Sequence, residues 1–250
     1  MKSMYLLYLC LINLFLFNSL NFNAKRIASN LFGISLLLPN NNLITSNSLI
    51  PVAEAANIHV TSSPSTSYES SFVQVENNNI YFYGSLNQES SKALKDALIE
   101  LISASMLFEN KFGAKSPPIK LHIQSEGGSL LHSMYLVDII KNSPIPIHTY
   151  VEGFAASAAT LISVSGHKRF MTENSLMLIH QLSSGSSGKY NELSDGMENF
   201  NTFMKSIKKI YFTYTKINPV ELDELLKHDL WLSSDKCIKY GLVDEIVSKQ

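Results

Sequence analysis

From Phe72 onward, apolar positions recur at two different spacings. Phe72, Val73 and Val75, then Ile80 to Tyr83, form β-rich runs separated by the turn-prone Asn77-Asn78-Asn79, and Gly84 ends the second run. Asn87 can cap a helix in which Leu94, Ala97, Leu98, Leu101, Ile102 and Ser105 fall at helical spacing. Lys111 to Pro118 reads as a loop, Ile119 to Ile123 as a strand, Leu130 to Lys141 as a second helix and Ile145 to Tyr150 as another strand. The small Gly153-Phe154-Ala155-Ala156 leads into a helix over Ala156 to Val164, with Leu161 and Val164 on its buried face. After the Gly166-His167 turn, Arg169 to Met171 and Ser175 to Ile179 read as short strands, with Met177 and Ile179 alternating against Leu176 and Leu178. The order β-α-β-α-β-α predicts an α/β domain with a mainly parallel sheet.

Beyond the Ser/Gly-rich loop Ser183 to Gly188 the period is helical and sustained. Leu193, Met197, Phe200, Phe203, Met204, Ile207, Ile210, Tyr211 and Tyr214 make one stripe over 22 residues, about twice the usual helix length. Such a stripe packs on its own sheet or carries its outer half to a partner, and the pattern alone leaves both open. Lys205, Lys208 and Lys209 fall on the solvated side.

The first quarter of the chain follows different rules. Residues 1–53 contain no Asp or Glu; Lys2 precedes the apolar run Met4 to Phe17, and an Asn/Ser/Leu-rich stretch with Lys25 and Arg26 follows. A signal-like apolar run followed by a basic, acid-free segment predicts a targeting presequence over residues 1–56, of the signal-plus-transit kind that leads to a plastid. Val52-Ala53-Glu54-Ala55 offers a small-residue cleavage site. Mitochondrial targeting, or membrane anchoring by residues 4–17, is the alternative, but that run is shorter than the roughly 20 residues a span needs. Residues 57–71 read as a flexible arm, and residues 72–250 as the folded domain. Without residues 1–53 the chain carries 17 basic against 21 acidic residues, a net charge near −4, which gives no basis for a nucleic-acid partner. Cys10 lies in the presequence, leaving Cys237 alone; there is no disulfide framework and no metal-ligand spacing.

Two stretches carry candidate chemistry. Ser157 stands at a predicted helix start, where unpaired backbone N–H groups favour an alkoxide or oxyanion, and His180 closes the strand that follows. Gln124-Ser125-Glu126-Gly127-Gly128-Ser129 ends a predicted strand with two glycines able to turn backbone N–H groups into a cleft. Taken singly, a serine at a helix start is usually a cap, a strand-end histidine usually a satisfied core or surface residue, and Gly-Gly usually a tight turn. No Gly-Lys-Ser/Thr follows the glycines, so the loop is not a phosphate-binding one.

Five segments together give a more specific signal: Ile123-Gln124-Ser125-Glu126-Gly127-Gly128, Gly153-Phe154-Ala155-Ala156-Ser157, Leu178-Ile179-His180-Gln181, Asp229-Leu230-Trp231-Leu232-Ser233 and Tyr240-Gly241-Leu242-Val243-Asp244. In order and spacing they resemble the proteolytic subunit of the Clp protease, over about Ile80 to Ile246. The resemblance implies a ClpP/crotonase-like fold of repeated ββα units with a long handle helix, and assembly into stacked heptameric rings of its own or paralogous subunits. It implies a serine endopeptidase acting on unfolded polypeptides, and an AAA+ unfoldase as the separate partner that uses ATP, with no cofactor in this subunit. Residue by residue, it makes Ser157 the nucleophile, His180 the general base and Asp229 the group that orients His180. Gly128 and Ala158 match the backbone N–H donors of the oxyanion hole. The chemistry is coherent: a serine hydroxyl needs an imidazole to take its proton, and the imidazole needs a carboxylate to fix its tautomer. The order Ser, His, Asp differs from that of hydrolases with a Gly-x-Ser-x-Gly elbow.

Within residues 72–250 the other histidines, His122, His132, His148, His167 and His228, lie in no matching motif. Asp223 and Asp235 rival Asp229 for the third role, but only Asp229 precedes the apolar Leu230-Trp231-Leu232 anchor. The chain departs from the family where Glu126 replaces the usual proline before Gly-Gly and Ala158 replaces the common methionine; neither change removes a backbone N–H. Residues 57–71 show nothing like the family's first amphipathic helix. Two alternatives belong to other classes: a catalytically weak structural subunit of a mixed Clp ring, and an acyl-CoA enzyme on the related crotonase fold.

Overall fold

The computed structural model describes residues 72–247; the predicted presequence and arm lie outside the described residues. Strands β1 (Phe72–Glu76) and β2 (Asn79–Tyr83) form a hairpin around Asn77, whose φ of 53° is the left-handed turn conformation that asparagine tolerates. Helix α1 (Gln88–Phe112) is capped at Asn87, whose side chain accepts the N–H groups of Glu89 and Ser90 while Ser90 Oγ accepts the Asn87 N–H. It runs further than its apolar pattern predicts, through Lys111 and Phe112, and stops where Gly113 takes a left-handed φ of 64°.

Strand β3 (Ile119–Ser125), helix α2 (Leu130–Lys141), strand β4 (Ile147–Ala156) and the short helix α3 (Ala158–Val164) follow. Strands β5 (Lys168–Thr172) and β6 (Leu176–Leu178), the long helix α4 (Tyr190–Tyr214), helix α5 (Pro219–Leu226), strand β7 (Trp231–Leu232), helix α6 (Ser234–Tyr240) and strand β8 (Glu245–Val247) complete the described chain. The sheet order is β1-β2-β3-β4-β5-β8, parallel from β2 onward, with β6 beside β4 and β7 antiparallel to β6. The expected α/β class and mainly parallel sheet are therefore present.

Alternation along the strands decides what covers each face. Ile80 and Phe82, Leu121 and Ile123, Val151 and Met171 are fully buried and join the core with Leu94, Leu98, Leu136, Ile140 and Ile162 of the helices. The opposite face carries a run of stacked rings, Tyr81 on His122, His122 on Tyr150 and Tyr150 on Phe170, with centroids 4.6, 5.0 and 4.6 Å apart. There His122 also bonds Glu152 and Asn79, at 3.0 and 3.2 Å.

The long apolar stripe divides. Its C-terminal half reaches the core through Ile207 and Tyr211, with Met204, Ile210 and Tyr214 partly buried against it, whereas Tyr190, Leu193 and Met197 in the N-terminal half are exposed. Lys205 and Lys209 are exposed as expected, and Lys208 pairs with Asp223 at 2.6 Å.

Beside the pair of Lys168 with Glu245 at 2.9 Å, a less exposed ion pair of Arg169 with Asp244 ties the C-terminal segment to the sheet. The Arg169 backbone N–H and Nε both donate to Asp244, at 2.9 and 3.0 Å, and Nη2 donates to its second oxygen. Arg169 Nη1 donates to the carbonyls of Gly241, at 2.8 Å, and of Tyr214, which joins β5 to the end of α4. Burial pulls the Asp244 carboxyl upward, but the hydrogen bonds and charge of Arg169 more than offset this, and the net direction is down. A depressed carboxylate stabilises the fold above its unfolded pKa of about 3.9 and loses that contribution as pH falls through the folded value. Thermal melts should therefore show Asp244→Asn less stable than wild type at pH 7, with the gap closing below about pH 4; a gap independent of pH would contradict this assignment.

Candidate active site

The site grows from a change of partner along β4. Residues His148 to Val151 pair with β5, and Phe154 to Ala156 pair with β6. Between these two stretches the buried Ser175 substitutes for ladder bonds: its Oγ accepts the Gly153 N–H at 2.8 Å and donates to the Val151 carbonyl at 3.1 Å. Gly153 to Ala156, read from sequence as an entry into a helix, is thus the last part of a strand, because β3 and β6 pair with it on both sides. Glycine and alanine are poor strand residues in isolation, and pairing overrides that preference.

Register then sets the Ser157 backbone beside β6 and His180 beside Asp229, while among the described residues no hydrogen bond joins the Ser157 side chain to His180. Ala156 faces Leu178 in parallel pairing, and the Ser157 N–H donates to the Leu178 carbonyl at 2.9 Å. Leu178 faces Trp231 in antiparallel pairing, so continuing that register by two residues sets His180 opposite Asp229. The side chains meet, with His180 Nδ1 3.0 Å from Asp229 Oδ1. The His180 side chain is 24% exposed and that of Asp229 77%, so solvent screens this pair. Asp223 is held by Lys208 instead, and Asp235 lies in the first turn of α6. Among the other histidines, His228 meets Glu224 at 3.1 Å, His132 meets Ser129 at 2.8 Å, and His167 Nδ1 accepts the Ile147 N–H at 3.0 Å.

Ser157 adopts φ 53° and ψ −126°, a backbone conformation that costs a non-glycine residue about 1–3 kcal/mol and persists only where its surroundings enforce it. Ala155, Ala156, Ala158 and Ala159 around it are buried while Ser157 is half-buried, so the sharp strand-to-helix turn leaves the serine as the accessible member of the run. All the hydrogen bonds of Ser157 within the described residues are made by its backbone.

The Gly127-Gly128 loop is fitted against this turn. A Cβ on Gly127 would lie 2.6 Å from the Ala156 carbonyl oxygen, 2.8 Å from Ala158 N and 2.9 Å from Ser157 Cβ. On Gly128 it would lie 2.3 Å from the Leu86 carbonyl oxygen. The loop is clamped to Leu86, whose N–H donates to the Gly127 carbonyl at 2.7 Å and whose carbonyl accepts the Ser129 N–H at 2.7 Å. That bridge leaves the Gly128 N–H outside it. In a planar trans peptide the C=O and the following N–H point in opposite directions, so fixing the Gly127 carbonyl on Leu86 turns the Gly128 N–H the other way. The backbone clamp at Leu86 is a part of the site that sequence reasoning missed, since a lone leucine before a helix cap carries no signal. Glu126 is exposed and leaves the backbone of the loop intact.

A family model for Clp protease matches residues 75–250. The chain belongs to the Clp protease family. Among solved structures, this Clp protease chain is similar to a point mutant of ClpP1 from Listeria monocytogenes, with 24% sequence identity over 69% of this chain and 92% of that one and a TM-score of 0.60. That likeness bears on the fold, the ClpP-like α/β arrangement with its long α4. Family membership makes the protein a proteolytic Clp-type subunit, a serine peptidase, and does not favour the acyl-CoA alternative.

The glycine contacts give a direct test within this Clp protease fold. Gly127→Ala must displace the Ser157 turn, and since ~1 Å of misplacement can cost ~100-fold in rate, peptide hydrolysis should fall by about that factor. Hydrolysis within about twofold of wild type would show that the fit of the loop against the Ser157 turn does not bear on the reaction.

Proposed function

We propose that Ser157 is the nucleophile, His180 the general base and Asp229 the residue that orients His180, with the Gly128 and Ala158 N–H groups as the oxyanion hole. The observation that carries this reading is the His180 Nδ1 to Asp229 Oδ1 contact of 3.0 Å beside the strained Ser157 turn. With the Nδ1 proton donated to Asp229, the Nε2 lone pair faces the task of taking the Ser157 proton. Ser157 Oγ then attacks the peptide carbonyl, the oxyanion is held by the two N–H groups at about 3 kcal/mol per donor, and His180 returns the proton to the leaving amine. Water hydrolyses the acyl-enzyme by the same route in reverse order.

The substrate is unfolded polypeptide, cut in a chamber of stacked rings built from copies of this chain or of paralogues, and fed by a separate AAA+ unfoldase that uses ATP. Supporting assembly, Tyr190, Leu193 and Met197 leave the outer half of α4 apolar and uncovered, which fits contact between rings. The exposed Asp229 fits a site that becomes fully ordered on assembly. For localisation, the acid-free first 53 residues with the apolar run Met4 to Phe17 support a cleaved plastid presequence over residues 1–56, against mitochondrial targeting or anchoring by residues 4–17.

Labelling with a serine-directed fluorophosphonate, resolved by size exclusion, tests the site. Label should appear on the large oligomer and vanish in Ser157→Ala and His180→Ala. Asp229→Asn should lose less than the ~10⁴-fold seen where the carboxylate is buried, about 10- to 100-fold, because the exposed carboxylate is screened. A large oligomer that never labels would leave a structural subunit of a mixed ring in its place.

Assembly has its own test. Leu193→Glu with Met197→Glu should halve the sedimenting particle and leave single rings, as read by analytical ultracentrifugation. A particle of unchanged size would remove α4 from the ring contact.

A further inference from the structure

A chain of buried hydroxyls holds the carbonyl of Ser157, and the triad chemistry makes no use of it. Thr160 Oγ1 is 2.5 Å from the Ser157 carbonyl oxygen and 2.5 Å from the phenolic oxygen of Tyr211. Thr160 and Tyr211 are 0% and 2% exposed, and the Thr160 N–H donates to the same carbonyl at 3.0 Å. A carbonyl oxygen only accepts, so the single Thr160 hydroxyl proton goes to Ser157, and Thr160 Oγ1 in turn accepts the proton of Tyr211. The direction is fixed: Tyr211 O–H to Thr160 O–H to the Ser157 carbonyl. Burial pushes the Tyr211 phenol far above its ordinary value, so the first donor keeps its proton throughout the neutral range.

The Ser157 carbonyl and the Ala158 N–H belong to one planar peptide unit and point in opposite directions. Holding the carbonyl on Thr160 therefore aims the Ala158 N–H away from the core, on the side where Gly127 approaches Ala158 N. We propose that Thr160 and Tyr211 are positioning residues for peptide-bond hydrolysis, a two-hydroxyl relay that sets the Ala158 N–H for the oxyanion and holds the strained Ser157 turn in place. The proposal rests on Ser157 and Ala158 acting as nucleophile and oxyanion donor. Successive hydrogen bonds polarise one another, so the relay also strengthens the Ala158 N–H as a donor. Tyr211 comes from α4, so the relay joins that helix directly to the reacting turn.

The test uses the assembled full chain and a short fluorogenic peptide, with kcat and KM measured separately, together with the affinity for a peptide boronate whose tetrahedral adduct places an oxygen in the oxyanion hole. Tyr211→Phe removes only the phenolic oxygen and Thr160→Val only the hydroxyl at similar volume, while Thr160→Ser keeps the hydroxyl. Expected are a kcat lowered about five- to tenfold in Tyr211→Phe and about 10- to 100-fold in Thr160→Val, with KM within about twofold. Boronate affinity should fall by the same factor as kcat, and Thr160→Ser should restore most of the rate. Wild-type kcat and boronate affinity in both hydroxyl-deleting variants would overturn the relay. So would a kcat loss that only follows loss of oligomer, with boronate affinity per assembled particle unchanged. Ser157→Ala separates the two levels: hydrolysis surviving in that variant sinks the catalytic reading itself. Hydrolysis lost there but intact in Tyr211→Phe and Thr160→Val sinks the relay alone.

Discussion

The site depends on one strand having two successive neighbours on the same side. β4 runs beside β5 for its first half and beside β6 for its second, and the buried Ser175 hydroxyl fills the gap with one accepted and one donated hydrogen bond to the β4 backbone. If β5 continued alongside, no strand would carry His180 to the end of β4. Because β6 takes over at Phe154, its carboxyl end stops next to Ser157, and β7 folds back antiparallel to deliver Asp229. The candidate residues thus gather at the carboxyl ends of parallel strands, where open α/β sheets place their ligand crevices.

Around that junction, two peptide units are fixed by the same device. The Gly127 carbonyl is held by the Leu86 N–H, and the Ser157 carbonyl by the N–H and hydroxyl of Thr160. Planarity converts each anchored carbonyl into an aimed N–H on the following residue. Under the proposed mechanism, N–H donors set in this way need no reorganisation when negative charge develops. The carbonyl that Thr160 holds belongs to Ser157, the residue of positive φ, so the backbone strain and the anchored peptide unit fall at the same place.

The described chain leaves two features unfinished by its own packing. Half of α4 presents apolar side chains to solvent, and the carboxylate beside His180 is mostly exposed. The proposed ring assembly would account for both: covering α4 would bury its stripe, and a neighbouring subunit would restrict the loop that carries Asp229. The relay from Tyr211 gives α4 a route to the serine that runs through hydrogen bonds of fixed direction.

Much of this was legible in sequence because it is local. The Asn87 cap, the alternation of β2 and β3, and the helical stripe of α4 each follow from spacing within one element. The ordered motifs around Gly127, Ser157, His180 and Asp229 also pointed to the family, and with it to the fold. Where the reading slipped, at Gly153 to Ala156 and at the end of α1, pairing with neighbouring strands in the first case and the left-handed cap at Gly113 in the second settled what local propensity could not. The hydroxyls of Thr160 and Tyr211 were invisible for a related reason, since each sits in an apolar helical face and reads as core. The sequence by itself determined most of the elements and, through its ordered motifs, the family, because both are properties of short segments. The tertiary structure alone decided that His180 meets Asp229, that Leu86 holds the Gly127 carbonyl, that Tyr211 reaches Thr160, and that the N-terminal half of α4 is left uncovered among the described residues. Those facts depend on strand register and on contacts between segments far apart along the chain, and no spacing within one segment encodes them.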